Sequence, residues 1–154
     1  MQFFDEQLST LCLKWLVDPV FSVREAASNN FKELIDVFGV EWARNNIMPR
    51  VLEFCNHPNY MYRGTTLLCV NALAPAIGSE VIDSTLLPLV ERMVTDTVPN
   101  IRFKVARSLG LMAKHVESTI VQARIIPALE TLLKDSDKDV RYYATLAMKQ
   151  IQSS

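Results

Sequence analysis

The chain has 154 residues, of which 49% are hydrophobic and 21% are charged, and its formal net charge is −1. This composition predicts a folded protein with a sizeable core and excludes a disordered chain. Because there is no excess of Lys and Arg to neutralise phosphates, the charge also argues against nucleic acid and an anionic membrane surface as partners.

A period of 39 residues runs through the chain. It is kept by the arginines Arg24, Arg63, Arg102 and Arg141 and by the prolines Pro49, Pro88 and Pro127. Self-similarity at about 40 residues is typical of stacked helix pairs. We therefore predict an all-α fold, an α-solenoid of about four helical hairpins in a right-handed superhelical array. The repeats are expected at roughly 1–39, 40–78, 79–117 and 118–154 in a single array.

In chain order within a repeat, the predicted first helix carries an apolar stripe with members four residues apart. Its columns are Leu8, Ile47, Leu86 and Ile125; Cys12, Val51, Val90 and Leu129; and Leu16, Cys55, Val94 and Leu133. The predicted second helix has columns that start at Val23, Ala27, Phe31 and Leu34 in the first repeat. Spacings of three and four in both segments make each repeat a helical hairpin.

Turns join the two helices of each repeat at residues 18–22, 57–61, 96–100 and 135–139. They are rich in Asp, Asn, Pro and Ser, whose side chains bond local amides or set φ. Between repeats, Gly39 and Gly78 are expected at positive φ, whereas Glu117 departs from this pattern. The proline column lies near the start of each first helix, where a missing amide costs little or causes a mild bend.

No group of residues indicates catalysis. His57 and His115 lie in different repeats, and no serine elbow or phosphate-cradling glycine loop occurs. We therefore expect a protein that is not an enzyme and has no cofactor and no metal site. The longest nearly uncharged stretch, 64–79, is shorter than the roughly 20 apolar residues of a membrane span.

The three cysteines, Cys12, Cys55 and Cys69, lie in apolar helical patterns and form no Cys-x-x-Cys pair. They indicate buried thiols in a reducing compartment. The expected location is the cytoplasm, with the nucleus as a second one.

The arginine column has two interpretations. Asp18, Asp96 and Asp135 stand six residues before their arginines, and His57 replaces the acid in the second repeat. The pattern could form a binding ladder, but the favoured interpretation is structural, with each Arg bridging adjacent turns and bonding helix-end groups. The histidine is expected to weaken the ladder at that point.

Large or apolar side chains occupy turn positions where small polar ones are usual. They are Phe21, Tyr60, Met61, Val98 and Pro99. Each could pack against a neighbouring turn, but their recurrence on one edge of the stack favours a ridge that docks a protein partner. In contrast, we expect Trp15, Trp42, Phe31, Phe38 and Cys69 to be packing residues.

The repeat length and the turn followed by Val-Arg or Ile-Arg resemble HEAT repeats. A closer resemblance lies in five strings: 3–6 (Phe-Phe-Asp-Glu), 15–18 (Trp-Leu-Val-Asp), 24–27 (Arg-Glu-Ala-Ala), 58–60 (Pro-Asn-Tyr) and 100–103 (Asn-Ile-Arg-Phe). Together they resemble the C-terminal end of the scaffolding (regulatory) A-subunit family of type 2A protein phosphatases. The resemblance implies a C-terminal part of a longer scaffold. It also implies that these repeats bind the phosphatase catalytic subunit through their turns, while a regulatory B-type subunit binds only upstream repeats.

The same resemblance assigns turn residues to partner contact. Tyr60 and Val98 match family positions that contact the phosphatase, and Phe21 stands where the family commonly has tyrosine. Arg63 also matches, although its place in the arginine column fits a structural role equally well. Lys138 stands where an apolar residue is expected, which leaves contact by the fourth turn open.

Two other functions fit a helical repeat. One is a nuclear transport receptor or another HEAT or armadillo-type adaptor, which would present an acidic inner surface. The other is a helical-repeat DNA glycosylase, which needs a basic groove that the near-neutral charge does not favour.

Overall fold

The computed structural model describes residues 2–153, and within them the side chains of residues 2–6 and 9 lie outside the description. The described residues contain helices and turns with no β-strand, which confirms the all-α prediction. The chain divides into two compact units, residues 1–76 and 77–154. None of the described helices is both long and apolar enough to cross a membrane.

The first unit is built from two helical hairpins. Its helices are α1 (Gln2–Trp15), α2 (Phe21–Phe38), α3 (Val40–Asn46), α4 (Met48–Cys55) and α5 (Tyr60–Ile77). α1 packs on α2, and α3 packs on both α2 and α4. Cys12, Leu16, Ala27 and Phe31 are buried as the apolar columns predict, whereas Leu8 is only half-buried.

The second unit also holds two hairpins. Its segments are α6 (Ser79–Val81), a π-helical turn (Ile82–Leu86), α7 (Leu87–Arg92), a 3-10 turn (Met93–Thr95), α8 (Pro99–Met112), a 3-10 turn (Ala113–His115), α9 (Ser118–Ile120), a π-helical turn (Val121–Ile125), α10 (Ile126–Leu133) and α11 (Lys138–Gln152). α8 packs on α7, α10 and α11. Ile101, Val105, Leu109 and Val140 are fully buried there.

The proline column explains the irregular first helices. Pro49, Pro88 and Pro127 each stand at the second residue of a helix, α4, α7 and α10. Proline has no amide to donate and its ring crowds the preceding turn, so the regular i to i−4 pattern is interrupted there. The chain responds with a break at Ile47 in the first unit and with π-helical turns in the second. A mild bend at these positions stays a prediction.

The junction glycines have the predicted conformation. Gly39 and Gly78 have φ of 89° and 90°, which L-residues rarely adopt. The third junction differs because Glu117 has φ −66° and ψ 151°, and Val116 before it is also extended. The observed hairpins end at Phe38, Ile77, His115 and Gln152, close to the predicted repeat ends. A single array and its handedness stay predictions.

Buried and exposed aromatic residues follow the helix faces. Phe31 and Cys69 are fully buried, as predicted. Trp42 is half-buried and its ring lies 4.9 Å from that of Phe38. The prediction for Trp15 is wrong, because 38% of this residue is exposed. The buried stripe runs from Cys12 in α1 to Leu16 directly after the helix, and position 15 lies on the adjacent face.

All three cysteines are buried, as expected. Burial raises the pKa of the Cys69 thiol and, less strongly, that of Cys12. A thiol held protonated in this way is a poor nucleophile, so these residues act as core side chains.

Candidate protein-docking surface

Each intra-repeat turn begins with the same side-chain bond to the main chain. The carboxylate Oδ1 of Asp18 accepts from the Val20 amide at 2.8 Å, and Asp96 and Asp135 accept likewise from Val98 and Asp137 at 2.9 Å. In the second turn His57 takes this role, because its Nδ1 accepts from the Asn59 amide at 3.0 Å. The turn bond is thus kept, because an unprotonated ring nitrogen substitutes for a carboxylate oxygen. The expected weakening of the ladder at His57 concerns the link between adjacent turns and stays a prediction.

The arginines of the column, which follow the turns, bond back to the main chain at the start of each turn. Nη1 of each arginine donates to the main-chain oxygen six residues earlier, at 2.6–3.0 Å. The acceptors are Asp18, His57, Asp96 and Asp135, in chain order. Because the acceptor is a carbonyl, the bond does not depend on the side chain at that position. The turn-closing part of the structural interpretation is therefore confirmed for all four arginines, including Arg63.

One arginine of the second unit also bridges adjacent turns. Arg102 Nε donates to Asp135 Oδ2 at 2.6 Å, and its Nη2 donates to Asp135 Oδ1 at 3.0 Å. The two side chains are only 14% and 10% exposed. The guanidinium holds the pKa of the Asp135 carboxyl below its ordinary value, chiefly through these hydrogen bonds, and the pKa of Arg102 is raised in turn. This paired fork fixes the third turn against the fourth.

Acid is expected to weaken the Arg102–Asp135 ion pair by protonating Asp135. Asp135 has a lowered pKa in the folded state and about 3.9 when unfolded, so its contribution is full above the unfolded pKa and is lost as pH falls through the folded pKa. In Asp135→Asn the amide oxygen can still accept from the Asp137 amide. We expect this variant to be less stable than the original chain at about pH 6 and the difference to shrink towards about pH 3. Urea unfolding across this range measures it.

Asp36→Asn is the matched control, because the Lys32–Asp36 pair is 59% exposed on both sides and contributes little. A stability difference for Asp135→Asn that stays constant across the acid range would contradict the prediction.

In the first unit the predicted turn residues present apolar surface to solvent. Phe21 is 48% and Tyr60 is 53% exposed, and each begins a helix at its turn. The Arg24 guanidinium lies 5.6 Å from the centre of the Phe21 ring. Met61 and Arg63 are half-buried. Two further residues that the sequence did not single out for contact are also exposed, namely Val20 in the first turn and Trp15 before it.

In the second unit the predicted residues are less prominent. Pro99 is exposed at the start of α8, Val98 before it is half-buried, and Lys138 is exposed at the start of α11. Sequence reasoning missed an aromatic cluster here. Phe103 stacks on Tyr143 with ring centres 5.0 Å apart, and Tyr142 meets Tyr143 edge-on at 5.3 Å.

This cluster is accessible. Tyr142 is 59% exposed and lies one helical turn after Lys138, so it supplies the apolar surface that Lys138 lacks. The signal was present in the sequence as two adjacent tyrosines. Recurrence reveals them only in part, because the equivalent of Tyr142 is aromatic in the third repeat (Phe103), whereas the first repeat holds Glu25 and Ala26 at the two positions.

The described residues hold no group of three or more His, Cys, Asp or Glu side chains that could bind a metal ion. What the turns offer is a rigid, hydrogen-bonded main chain with aromatic and aliphatic side chains at its ends. Such surfaces bind other proteins more readily than they perform chemistry.

Comparison with known proteins places the chain in a family. A family model described as PIK3R4-like, middle domain, matches residues 1–115, which is most of the chain. The chain belongs to this family. A second model, described as a HEAT-like repeat, matches residues 99–151 and agrees with the hairpins of the second unit.

Curated relatives confirm the resemblance drawn from the sequence. The chain is 45% identical over 70 residues to the regulatory A-type subunit of protein phosphatase PP2A from Schizosaccharomyces pombe, 46% of this chain and 12% of that protein. It is 41% identical over 85 residues to the protein of the same name from Saccharomyces cerevisiae, 54% and 13% of the two chains. For the Pisum sativum protein of that name the identity is 48% over 56 residues, 36% and 14%. The matched stretches thus span a small part of each relative.

Solved structures agree on the fold. A designed armadillo repeat protein superposes with a TM-score of 0.60 at 18% identity, covering 94% of this chain and 64% of that one. An engineered protein gives a TM-score of 0.58 at 17% identity, covering 95% and 68%. At such low identity the likeness concerns architecture alone, and it confirms the α-solenoid class.

Proposed function

We propose that this chain is a non-catalytic scaffold segment that binds the catalytic subunit of a type 2A serine/threonine phosphatase through its intra-repeat turns and helps to assemble the holoenzyme. The names of the curated relatives support a role beside this phosphatase. The mechanism is geometric, because a stack of helical hairpins sets the distance and orientation of what it binds. A regulatory B-type subunit would be held by repeats other than these. We place the chain itself in the cytoplasm and also in the nucleus.

The observation that carries this proposal is the exposed ring of Tyr60. The turn before it is already held from within, because His57 accepts from the Asn59 amide and Arg63 donates to the carbonyl oxygens of His57 and Pro58. Tyr60 is 53% exposed and takes no part in these bonds. A large aromatic side chain on a preorganised main chain loses little entropy on binding, which is the usual property of an interface anchor.

The other candidate contacts are graded by their exposure. In the first unit Phe21 is exposed and Met61 half-buried; in the second unit Pro99 is exposed and Val98 half-buried. Arg63 donates to its own turn, so any contact that it makes with a partner would be additional to that role. The fourth turn, where Lys138 stands, gains a candidate in the exposed Tyr142.

Replacing Tyr60 with alanine is expected to weaken, at least tenfold, the binding of the purified catalytic subunit, because truncating an anchor costs about 2 kcal/mol or more. Val98→Asp is expected to weaken binding as well, since it places a charge in an apolar contact. The dissociation constants are measured by passing the soluble catalytic subunit over the surface-immobilised chain. Circular dichroism melting shows whether each variant is folded.

Val37→Ala is the matched control, because Val37 is 70% exposed but lies near the end of α2 that is remote from the turn. It should bind like the original chain. If Tyr60→Ala and Val98→Asp both retain the original affinity, the turns are not the docking surface.

A further inference from the structure

The second unit contains a pocket that no turn residue lines. Its volume is about 230 Å³, and it lies at the third junction, where the chain leaves α8 and enters α9. The 3-10 turn Ala113–His115 and the extended Val116 carry the chain around this space instead of a positive-φ glycine. Gln150 and Ile151 near the end of α11 complete the wall.

The lining combines an apolar floor with one positive charge. Ala113, Val116 and Val121 provide aliphatic surface, and Val121 is only 7% exposed. Lys114 and Gln122 stand exposed at the rim. Among the described residues that line the pocket Lys114 is the only charged one and none is acidic. The ion pairs among the side chains that the structure describes do not involve Lys114.

Size restricts the occupant further. Pockets for drug-sized ligands commonly hold about 300–1,000 Å³, so this one suits a molecule no larger than about one amino-acid residue. Lys114 is the chain neighbour of Ala113 and lies two residues from Val116. A ligand that packs on the aliphatic side chains and also pairs with the Lys114 ammonium group must therefore have its apolar part and its negative charge close together.

We propose that this pocket binds a small aliphatic carboxylate. The aliphatic part packs on Val116 and Val121, and the carboxylate pairs with the Lys114 ammonium. The pocket lies at the opposite end of α8 from the turn at Val98, and a helix of 14 residues is about 21 Å long. Occupation of the pocket is thus separate from the docking of a protein at the turns, and it does not rest on the proposed function.

The test compares N-acetyl-leucine with N-acetyl-leucinamide, which share the side chain but differ in charge. Each is titrated into the full chain while the amide NMR signals are followed. We expect the acid to bind with a dissociation constant on the order of 1 mM and to shift the signals of Ala113, Val116 and Val121. The amide should bind about fivefold more weakly, because an exposed charge pair contributes about that factor.

Lys114→Gln should lower the affinity for the acid to that for the amide and leave the amide unaffected. Lys134→Gln is the matched control, since Lys134 belongs to the same unit and does not line the pocket. Equal binding of acid and amide to the original chain would overturn the proposal without any variant. Unchanged binding of the acid to Lys114→Gln, or shifts confined to residues away from the pocket, would do the same.

Discussion

Replacing Phe31 with alanine is expected to lower the free energy of unfolding by about 3–5 kcal/mol. Phe31 lies in the middle of α2 and none of its surface is exposed. Truncation removes the transfer free energy of the ring and leaves a cavity, because α2 is held by both α1 and α3 and cannot collapse freely. The urea midpoint followed by circular dichroism measures the loss.

Phe21→Ala provides a matched control within the same helix. The two variants delete the same atoms, but Phe21 is 48% exposed at the first residue of α2. Its loss should cost less than about 1 kcal/mol, as surface substitutions usually do. A Phe21→Ala variant as unstable as Phe31→Ala would show that the Phe21 ring serves the fold, and it would remove Phe21 from the docking surface.

Replacing Arg102 with methionine is expected to cost about 2–3 kcal/mol, measured by the same urea unfolding. The change removes a two-pronged ion pair with Asp135 and the bond from Nη1 to the Asp96 carbonyl oxygen at 2.7 Å. It leaves the Asp135 carboxylate, which is 10% exposed, without its main partner. Removing one member of a buried pair costs about 3–5 kcal/mol, and the remaining exposure of this pair reduces the figure.

Arg141→Met isolates the ion pair from the rest of the column. Arg141 donates to the carbonyl oxygens of Asp135 and Ser136 at 2.6 and 2.8 Å, as its column position requires, but it is exposed at the surface of the fourth turn. Its replacement should cost about 1 kcal/mol or less. Equal losses in the two variants would mean that the carbonyl bond, and not the pairing with Asp135, is what stabilises the turns.

The fold could be predicted because a repeat multiplies weak signals. One apolar stripe alone does not identify a helix face with certainty. The column Cys12, Val51, Val90 and Leu129 predicts the same buried position in four repeats, and all four residues are buried. The glycines were predictable for a different reason, since a positive φ is inexpensive only without a Cβ. The π-helical turns were not, because a proline specifies that a hydrogen bond is lost but not how the preceding turn rearranges.

The candidate surface was predictable only in part. Phe21 and Tyr60 stand out because large side chains are unusual in turns, and both are exposed. Trp15 was misassigned because it borders the buried stripe. The sequence does not show which side of that stripe other helices cover. Tyr142 was missed although Phe103 stands at the equivalent position of the third repeat, because the first two repeats hold Glu25 and Gly64 there.

By itself the sequence determined the helical hairpins, their 39-residue period and the resemblance of the chain to regulatory repeat proteins, since periodicity and local chemistry repeat along the chain. Only the tertiary structure decided the partners of the arginines and the place of the pocket. Arg102 meets Asp135 across 33 residues of chain, and the lining of the pocket joins the end of α8 to the end of α11. Such relations depend on how helices pack, because a side chain's neighbours in space are set by the elements that close around it.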